Sequence, residues 1–570
     1  MSQNALRNVA NQVMWNRLIS VVEEQAQALI RTAFSTSVRE AGDLSAGVYD
    51  VKGRMLAQAV TGTPGHVNAM ADAVAHFIRE IGPDNIFESD VYITNDPWKG
   101  TGHRHDITVV SPSFMDGTLV GYFACTAHVV DVGGRGFGAD ANSVFEEGLA
   151  IPIMKFAERG HVDQTLVRII RENVREPDQL VGDVYALATC NEIGHRRLID
   201  MLREFDMRGL EEIAAFILDH SYQASVARIA ALPQGVVRGG MRIDGFDTPI
   251  DLQVELTVKP DRIIADYTGT SPVDPKGINV PLVYTKAYTC YALKCAIAPD
   301  IPNNAGSLAP FEITAPVGSI LNAPPPAPVC LRHVIGHMLP DTVFHALEQI
   351  LPGQVQAEGA GALCNFQVSL YPRTDGLAPE DARRAEVLTF NSGGAGARPT
   401  LDGMNATAFP SGVMTMPVEA TEHTGPIIIW RKELRPDSGG AGTYRGGLGQ
   451  YMEIGASAGH AFDFSAMFDR VRHPARGREG GGAGAATTLA HDDGTAMRGK
   501  GRQTVPYGRK VLLACPGGGG YGEPRERARD AVERDLALGY ISEAAARDLY
   551  GLDDAAIETV RARVERGDTF

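Results

Sequence analysis

The run Asn95-Asp96-Pro97-Trp98-Lys99-Gly100-Thr101-Gly102-His103-Arg104-His105-Asp106 is answered downstream by Thr126-Ala127-His128-Val129-Val130-Asp131-Val132-Gly133-Gly134. Two imidazoles and a carboxylate are residue types that together hold a divalent ion incompletely, leaving positions for water or substrate. The set His103, Asp106 and His128 has this chemistry. It also has elements able to bring it together. Val91 to Thr94 and Ile107 to Val110 are rich in β-branched residues, and Asp116-Gly117 is a hairpin turn signal ahead of the apolar run Leu119 to Phe123. Such a hairpin returns His128, near the end of its second strand, toward His103 and Asp106 at the start of its first. On a strand, His105 alternates with His103 and points to the opposite side, so it is left out of the ligand set.

Other parts of the chain frame this centre. From Val9 to Phe34 apolar residues recur at helical spacing opposite Glu23, Glu24 and Gln25, which predicts one long amphipathic helix. The following Arg39-Glu40-Ala41-Gly42-Asp43 is punctuated by glycine, so Arg39, Glu40 and Asp43 are expected on a turn. Residues 164–173, 181–203 and 210–231 read as consecutive helices, an inserted helical lobe. Strict alternation from Ile250 to Val258, then the turn Lys259-Pro260-Asp261-Arg262, predicts a strand hairpin up to Tyr267. The proline-rich Asn322 to Pro328 is expected to be a rigid extended connector before a helix over 340–350. Beyond it the 63 glycines of the chain are most abundant, and are read as turn formers between short strands. The Pro516-Gly517-Gly518-Gly519-Gly520-Tyr521-Gly522 run lacks the GxxxxGK[ST] pattern of a phosphate-binding loop. Arg525 to Arg566 is a charged helical tail.

The expected fold class is therefore α+β and multi-lobed, a mixed α/β chain with a β-hairpin metal-site core, an inserted helical lobe and a Gly-rich β C-terminal region. Its expected divisions are 1–160, 161–235, 236–355, 356–524 and 525–570. At 570 residues, with 44% hydrophobic and 21% charged residues, the chain is globular and too long for one small core. A net charge of -16 repels phosphate backbones and anionic membranes, so neither nucleic acid nor membrane is an expected partner. The start Met1-Ser2-Gln3-Asn4 lacks a signal-peptide pattern, and no long apolar run occurs. The seven cysteines include no CxxC pair. These features point to a cytoplasmic location with reduced thiols.

Taken in order, several blocks resemble the hydantoinase B family: the B subunit of ATP-dependent N-methylhydantoinases, the C-terminal half of 5-oxoprolinase and the alpha subunit of acetone carboxylase. The blocks are Arg39 to Ser45, Asn95 to Asp106, Ala127 to Gly134, Glu146-Glu147-Gly148-Leu149, Asp266 to Thr270, Gly393 to Arg398, Asp437 to Gly442, Arg445-Gly446-Gly447 and Pro516 to Gly522. The resemblance implies a divalent ion, Zn or Mn, on His103, Asp106 and His128, with Glu40 or Asp43 as a possible fourth ligand. It implies opening of a small cyclic amide such as a hydantoin, 5-oxoproline or another lactam at the expense of ATP. No nucleotide motif is present, so ATP and Mg are expected on an A-type, hydantoinase A-like ATPase partner in an α2β2-type hetero-oligomer. Asp131 is the candidate for orienting His128 or acting as general base, with a turn cap as its other reading. Asp96 and Glu147 are the next candidates for the base. Asn95 and His66 are candidates for substrate contact. The alternatives are the alpha subunit of a ketone carboxylase and a non-catalytic scaffold for the ATPase subunit.

Overall fold

Asp116 and Gly117, with φ of 50° and 77°, close a hairpin between the strands Asp106–Met115 and Thr118–His128. Positive φ at both central residues is what an Asp-Gly turn accommodates. The computed structural model describes residues 3–60, 63–361, 363–373 and 384–568. In it the hairpin is the centre of a 7-stranded sheet. The order is Met55–Gln58, Leu44–Tyr49, Thr118–His128, Asp106–Met115, Val91–Thr94, Met154–Glu158, His161–Val162. Both faces are covered. Phe123 and Cys125 join a core with Trp15 and Leu18 of helix Gln3–Thr32 and Val184 and Leu187 of helix Pro177–Glu204. Tyr122 and Ala124, on the other face, pack with Val67, Met70 and Val74 of helix Pro64–Ile81. A register slip by one residue would exchange these two sets, so the pairing is pinned where it matters, with Asp106 directly opposite His128.

The chain forms two compact units: Met1–Gly239 with Gln253–Ala346 and Ser411–Val413, and Gly240–Leu252 with Leu347–Pro410 and Met414–Phe570. The first holds the sheet, its helices Gln164–Asn173, Pro177–Glu204 and Glu211–Ala230, and the alternating hairpin in which Ile263 to Asp266 pair with Val258 to Glu255. Two segments differ from the sequence expectation. Arg39 closes a one-turn helix, Thr36–Arg39, so the turn carries only Glu40 to Asp43. The proline-rich stretch does not run straight: the Ala327 N–H donates to the Pro324 carbonyl at 3.0 Å. It leads into a short helix, Arg332–Gly336, ahead of the expected one at Leu339–Leu347.

The second unit contains two 4-stranded sheets with a shared core of Phe366, Val368, Phe464, Ile454, Val511 and Leu513. Three helices, Arg529–Ala537, Glu543–Asp548 and Asp554–Arg566, form the tail, packed through Val532, Tyr550 and Ile557. The Arg527 guanidinium ties them down by bonding both Asp402 and Asp535 at 2.7 Å. The glycines of this unit are mostly not turn formers. Gly394, Gly446, Gly447, Gly517 and Gly518 do not have positive φ. They lie in extended segments outside the strands whose backbones touch. Gly447 N–H donates to Ala395 O, Gly518 N–H to Gly447 O, and Gly440 N–H to Gly518 O. A Cβ on Gly394 would stand 1.8 Å from Gly447 O, and one on Gly518 2.0 Å from Ala395 O. As at the axis of a collagen helix, only glycine fits where extended chains approach this closely. The fold is α+β, and among the described residues no helix is long and apolar enough to cross a membrane.

Candidate metal centre

Asp106 opens one hairpin strand and His128 closes the other, so the register alone sets them side by side. The second strand's end is braced from outside. Ser37 Oγ donates to the His128 carbonyl at 2.7 Å, and the His128 N–H donates to the Asp43 carbonyl at 3.1 Å. His103 arrives from the turn just before Asp106, whose glycine, Gly102, has φ 104°. His103 Nε2 is 2.7 Å and His128 Nδ1 3.2 Å from Asp106 Oδ1. One donor atom from each of the three lies within 4.8 Å of the others, and all three residues are buried.

The second carboxylate oxygen of Asp106 faces away and is held by Thr101 Oγ1 at 2.6 Å, by His66 Nε2 at 3.0 Å and by the Arg332 guanidinium. Burial opposes the charge on Asp106, but Arg332, His103 and His66 outweigh it and keep the carboxyl well below its usual range. Burial first and Arg332 second push the His103 imidazolium down to about 4, leaving a neutral ring. For His66 the balance reverses: burial lowers it, yet Asp106 and Asp43 raise it overall.

The tautomer of His103 follows from its other nitrogen. Nδ1 is 2.8 Å from the Cys330 carbonyl, an oxygen that can only accept, so Nδ1 carries the proton. Nε2 then directs a lone pair at Asp106 Oδ1, 2.7 Å away. Two lone pairs at that distance repel unless a cation, a proton or a metal ion, lies between them. The residues present therefore fit a divalent ion, with Cys330 O holding the ligand imidazole in the way typical of metal-bound histidine.

The remaining candidates divide by what their polar atoms touch. Asp43 is buried in the turn, its Oδ1 accepting from Thr63 Oγ1 at 2.7 Å and 3.6 Å from His66 Nδ1, whereas Glu40 is partly exposed. His66, at the start of helix Pro64–Ile81, thus bridges Asp106 and Asp43. Asn95 is a staple: its amide donates to the carbonyls of Arg104 (3.0 Å) and Leu149 (2.9 Å) and its oxygen accepts from Ile151 N–H (2.7 Å). Asp96 accepts from Trp98 N–H at 2.9 Å, within its own turn. Asp131 caps Gly133 N–H at 3.0 Å and pairs with Arg175 through both backbone and side chain. Glu147 Oε1 accepts from the N–H groups of Val329 (2.6 Å) and Cys330 (2.8 Å), and burial pushes its carboxyl up to about 8.

His105 does not turn away as strand alternation implied. Residues 101–105 form a turn, the strand beginning only at Asp106, and the His105 ring stacks on His128 with centroids 5.7 Å apart. Four residues at the centre were not singled out from sequence: Arg332, His333, His337 and Phe137. The first three are a cation and two imidazoles inside an apolar run, Val329 to Leu339, and polar residues so placed need buried partners. That was an available signal. Phe137 carried none, since its importance lies in what it packs against.

Likeness to known proteins establishes the family. Residues 7–524 match the family described as Hydantoinase B/oxoprolinase. The chain belongs to that family. A relative from Pseudomonas sp. (strain NS671), described as the putative B subunit of a D-/L-hydantoinase, is 29% identical, over 95% of this chain and 94% of that one. The crystal structure of the ATP-dependent caprolactamase from Pseudomonas jessenii superposes with a TM-score of 0.84 at 26% identity, covering 97% of this chain and 99% of that one. A nucleotide-free acetone carboxylase also has a TM-score of 0.84, covering 98% of this chain and 83% of its own, but at 19% identity this likeness concerns the fold alone. Family membership thus agrees with the blocks read along the sequence.

Proposed function

We propose that this chain is the B-type subunit of an ATP-dependent cyclic-amide hydrolase, acting on a hydantoin, 5-oxoproline or lactam ring, with ATP handled by an A-type ATPase partner. The observation that carries the reading is the buried triad, in which His103 Nε2 and Asp106 Oδ1 stand 2.7 Å apart with the histidine proton committed to the Cys330 carbonyl. His103, Asp106 and His128 would hold a divalent ion, Zn or Mn; of the two candidates for a fourth ligand, Asp43 lies beside His66 on the outer side of Asp106 and Glu40 is partly exposed, and neither belongs to the cluster of donor atoms. When bound, such an ion polarises a carbonyl and lowers the pKa of a water.

The chain's own residues supply orientation. Cys330 O fixes the His103 tautomer, and Arg332, Thr101 and His66 hold the outer oxygen of Asp106, so the inner one faces both imidazoles. Burial keeps bulk water off the centre, which strengthens every charge interaction within it. Likeness to a hydantoinase B-type protein and to an ATP-dependent caprolactamase supports both the substrate class and the need for a partner. The test is reconstitution. The chain mixed with its A-type partner, ATP and a divalent ion should open hydantoin, 5-oxoproline or caprolactam, and the Asp106→Asn variant should not. Equal turnover by the variant would overturn the reading.

A further inference from the structure

Phe137 is the single inward side chain of an otherwise solvent-facing glycine-rich tip. Gly134 and Arg135 are exposed, Gly136 and Gly138 partly so, yet Phe137 is 3% exposed. Its ring is walled by imidazoles: His105 and His128 at centroid distances of 4.9 Å, His103 at 5.8 Å, and His333 at 5.6 Å and nearly parallel, 15° between planes. An apolar ring is a poor neighbour for such a wall. The Nε2 atoms of His105 and His333 are buried with no hydrogen-bond partner among the described residues, and a buried polar atom left unpaired costs on the order of 1–3 kcal/mol.

We propose that the phenyl ring of Phe137 occupies, in the free protein, the slot in which the substrate's planar amide lies, and that the glycine-rich tip withdraws it when substrate enters. This rests on the proposed function for the identity of the ligand. The slot is phenyl-sized and walled by four imidazoles, side chains whose nitrogens can donate to a carbonyl or accept from an amide N–H, which suits a small cyclic amide or its ring-opened carboxylate. The loop is built to exchange them. Its base is fixed, since a Cβ on Gly133 would meet Asn173 O at 2.1 Å and one on Gly134 would meet Glu146 O at 2.5 Å. Beyond the base, Gly136 at φ 81° takes a backbone conformation that other residues enter only with strain. Arg135 belongs to the base, its N–H donating to the Glu146 carbonyl at 3.0 Å; only residues 136–138 need move, and the buried imidazole nitrogens without partners gain them when a polar ligand replaces the ring.

The test reads access to the slot without using catalysis. Metal-free full-length chain is labelled with diethyl pyrocarbonate, which acylates accessible neutral imidazoles, and each site is quantified by peptide mass spectrometry against exposed His161. Phe137→Ala should raise labelling of His105 and His333 by about tenfold or more over the wild type, and saturating hydantoin should suppress that rise. Should the alanine variant lose its melting transition, Phe137→Leu, which keeps apolar bulk but not the flat ring, takes its place with a smaller rise in the same direction. Unchanged labelling at His105 and His333, or labelling that hydantoin does not reduce, would overturn the proposal. Because no ion is present, this result is independent of whether the triad binds metal, which metal analysis decides separately.

Discussion

Among single residues, what each carboxylate touches separates holding from reacting. Asp131 is committed on both oxygens to Gly133 N–H and Arg175. Its replacement by Asn removes the charge from a buried, hydrogen-bonded pair, so stability should fall by about 1–3 kcal/mol with metal content unchanged. Urea denaturation with metal analysis checks this. Wild-type stability together with a large loss of turnover would instead restore the general-base reading. Glu147 gives a pH prediction. Its folded-state value, about 8, lies above the ordinary 4.5 because the carboxyl is buried, so the folded chain holds a proton that the unfolded chain releases. The stability from this group is fully present below about 4.5 and is lost as pH rises through about 8. Glu147→Gln keeps an acceptor for Val329 and Cys330 and has no proton to lose. The difference in stability between wild type and variant should therefore slope downward with pH across that window, and a flat difference would contradict the assignment.

Among the elements, the hairpin was legible because its signals are local: β-branched runs, an Asp-Gly turn, and histidine and aspartate at the strand ends. The three lobe helices and the alternating hairpin near Ile250 were legible for the same reason. What escaped the sequence were contacts between distant segments. Arg332 reaches Asp106 across 226 positions, and Phe137 matters only through four rings contributed by other segments. The glycine segments were misread because glycine serves turns and close backbone approach equally well, and composition does not tell them apart. The structure makes the distinction testable. Gly518→Ala places a methyl 2.0 Å from Ala395 O and should cost roughly 3 kcal/mol or more, while Gly482→Ala, with its nearest atom at 3.4 Å, should cost far less. Comparable unfolding midpoints for the two variants would refute close packing as the reason for these glycines.

Across the whole molecule, the proposed function divides labour between this chain and a partner. The chain supplies a buried, pre-oriented donor set, and its family, Hydantoinase B/oxoprolinase over residues 7–524, has relatives described as components of larger enzymes and as ATP-dependent. Purified alone, the chain should hydrolyse no ATP and open no ring above background, and adding its A-type partner should restore both activities. ATP turnover by the isolated chain would defeat the division. The most direct test of the metal centre is the metal content of gently purified wild type beside His128→Ala. About one divalent ion per chain is expected in the wild type. In the variant, occupancy should fall by about tenfold or more with an unchanged melting transition, because the strands that present the ligands form without the ion. Full occupancy in His128→Ala, or none in the wild type, would contradict the metal centre.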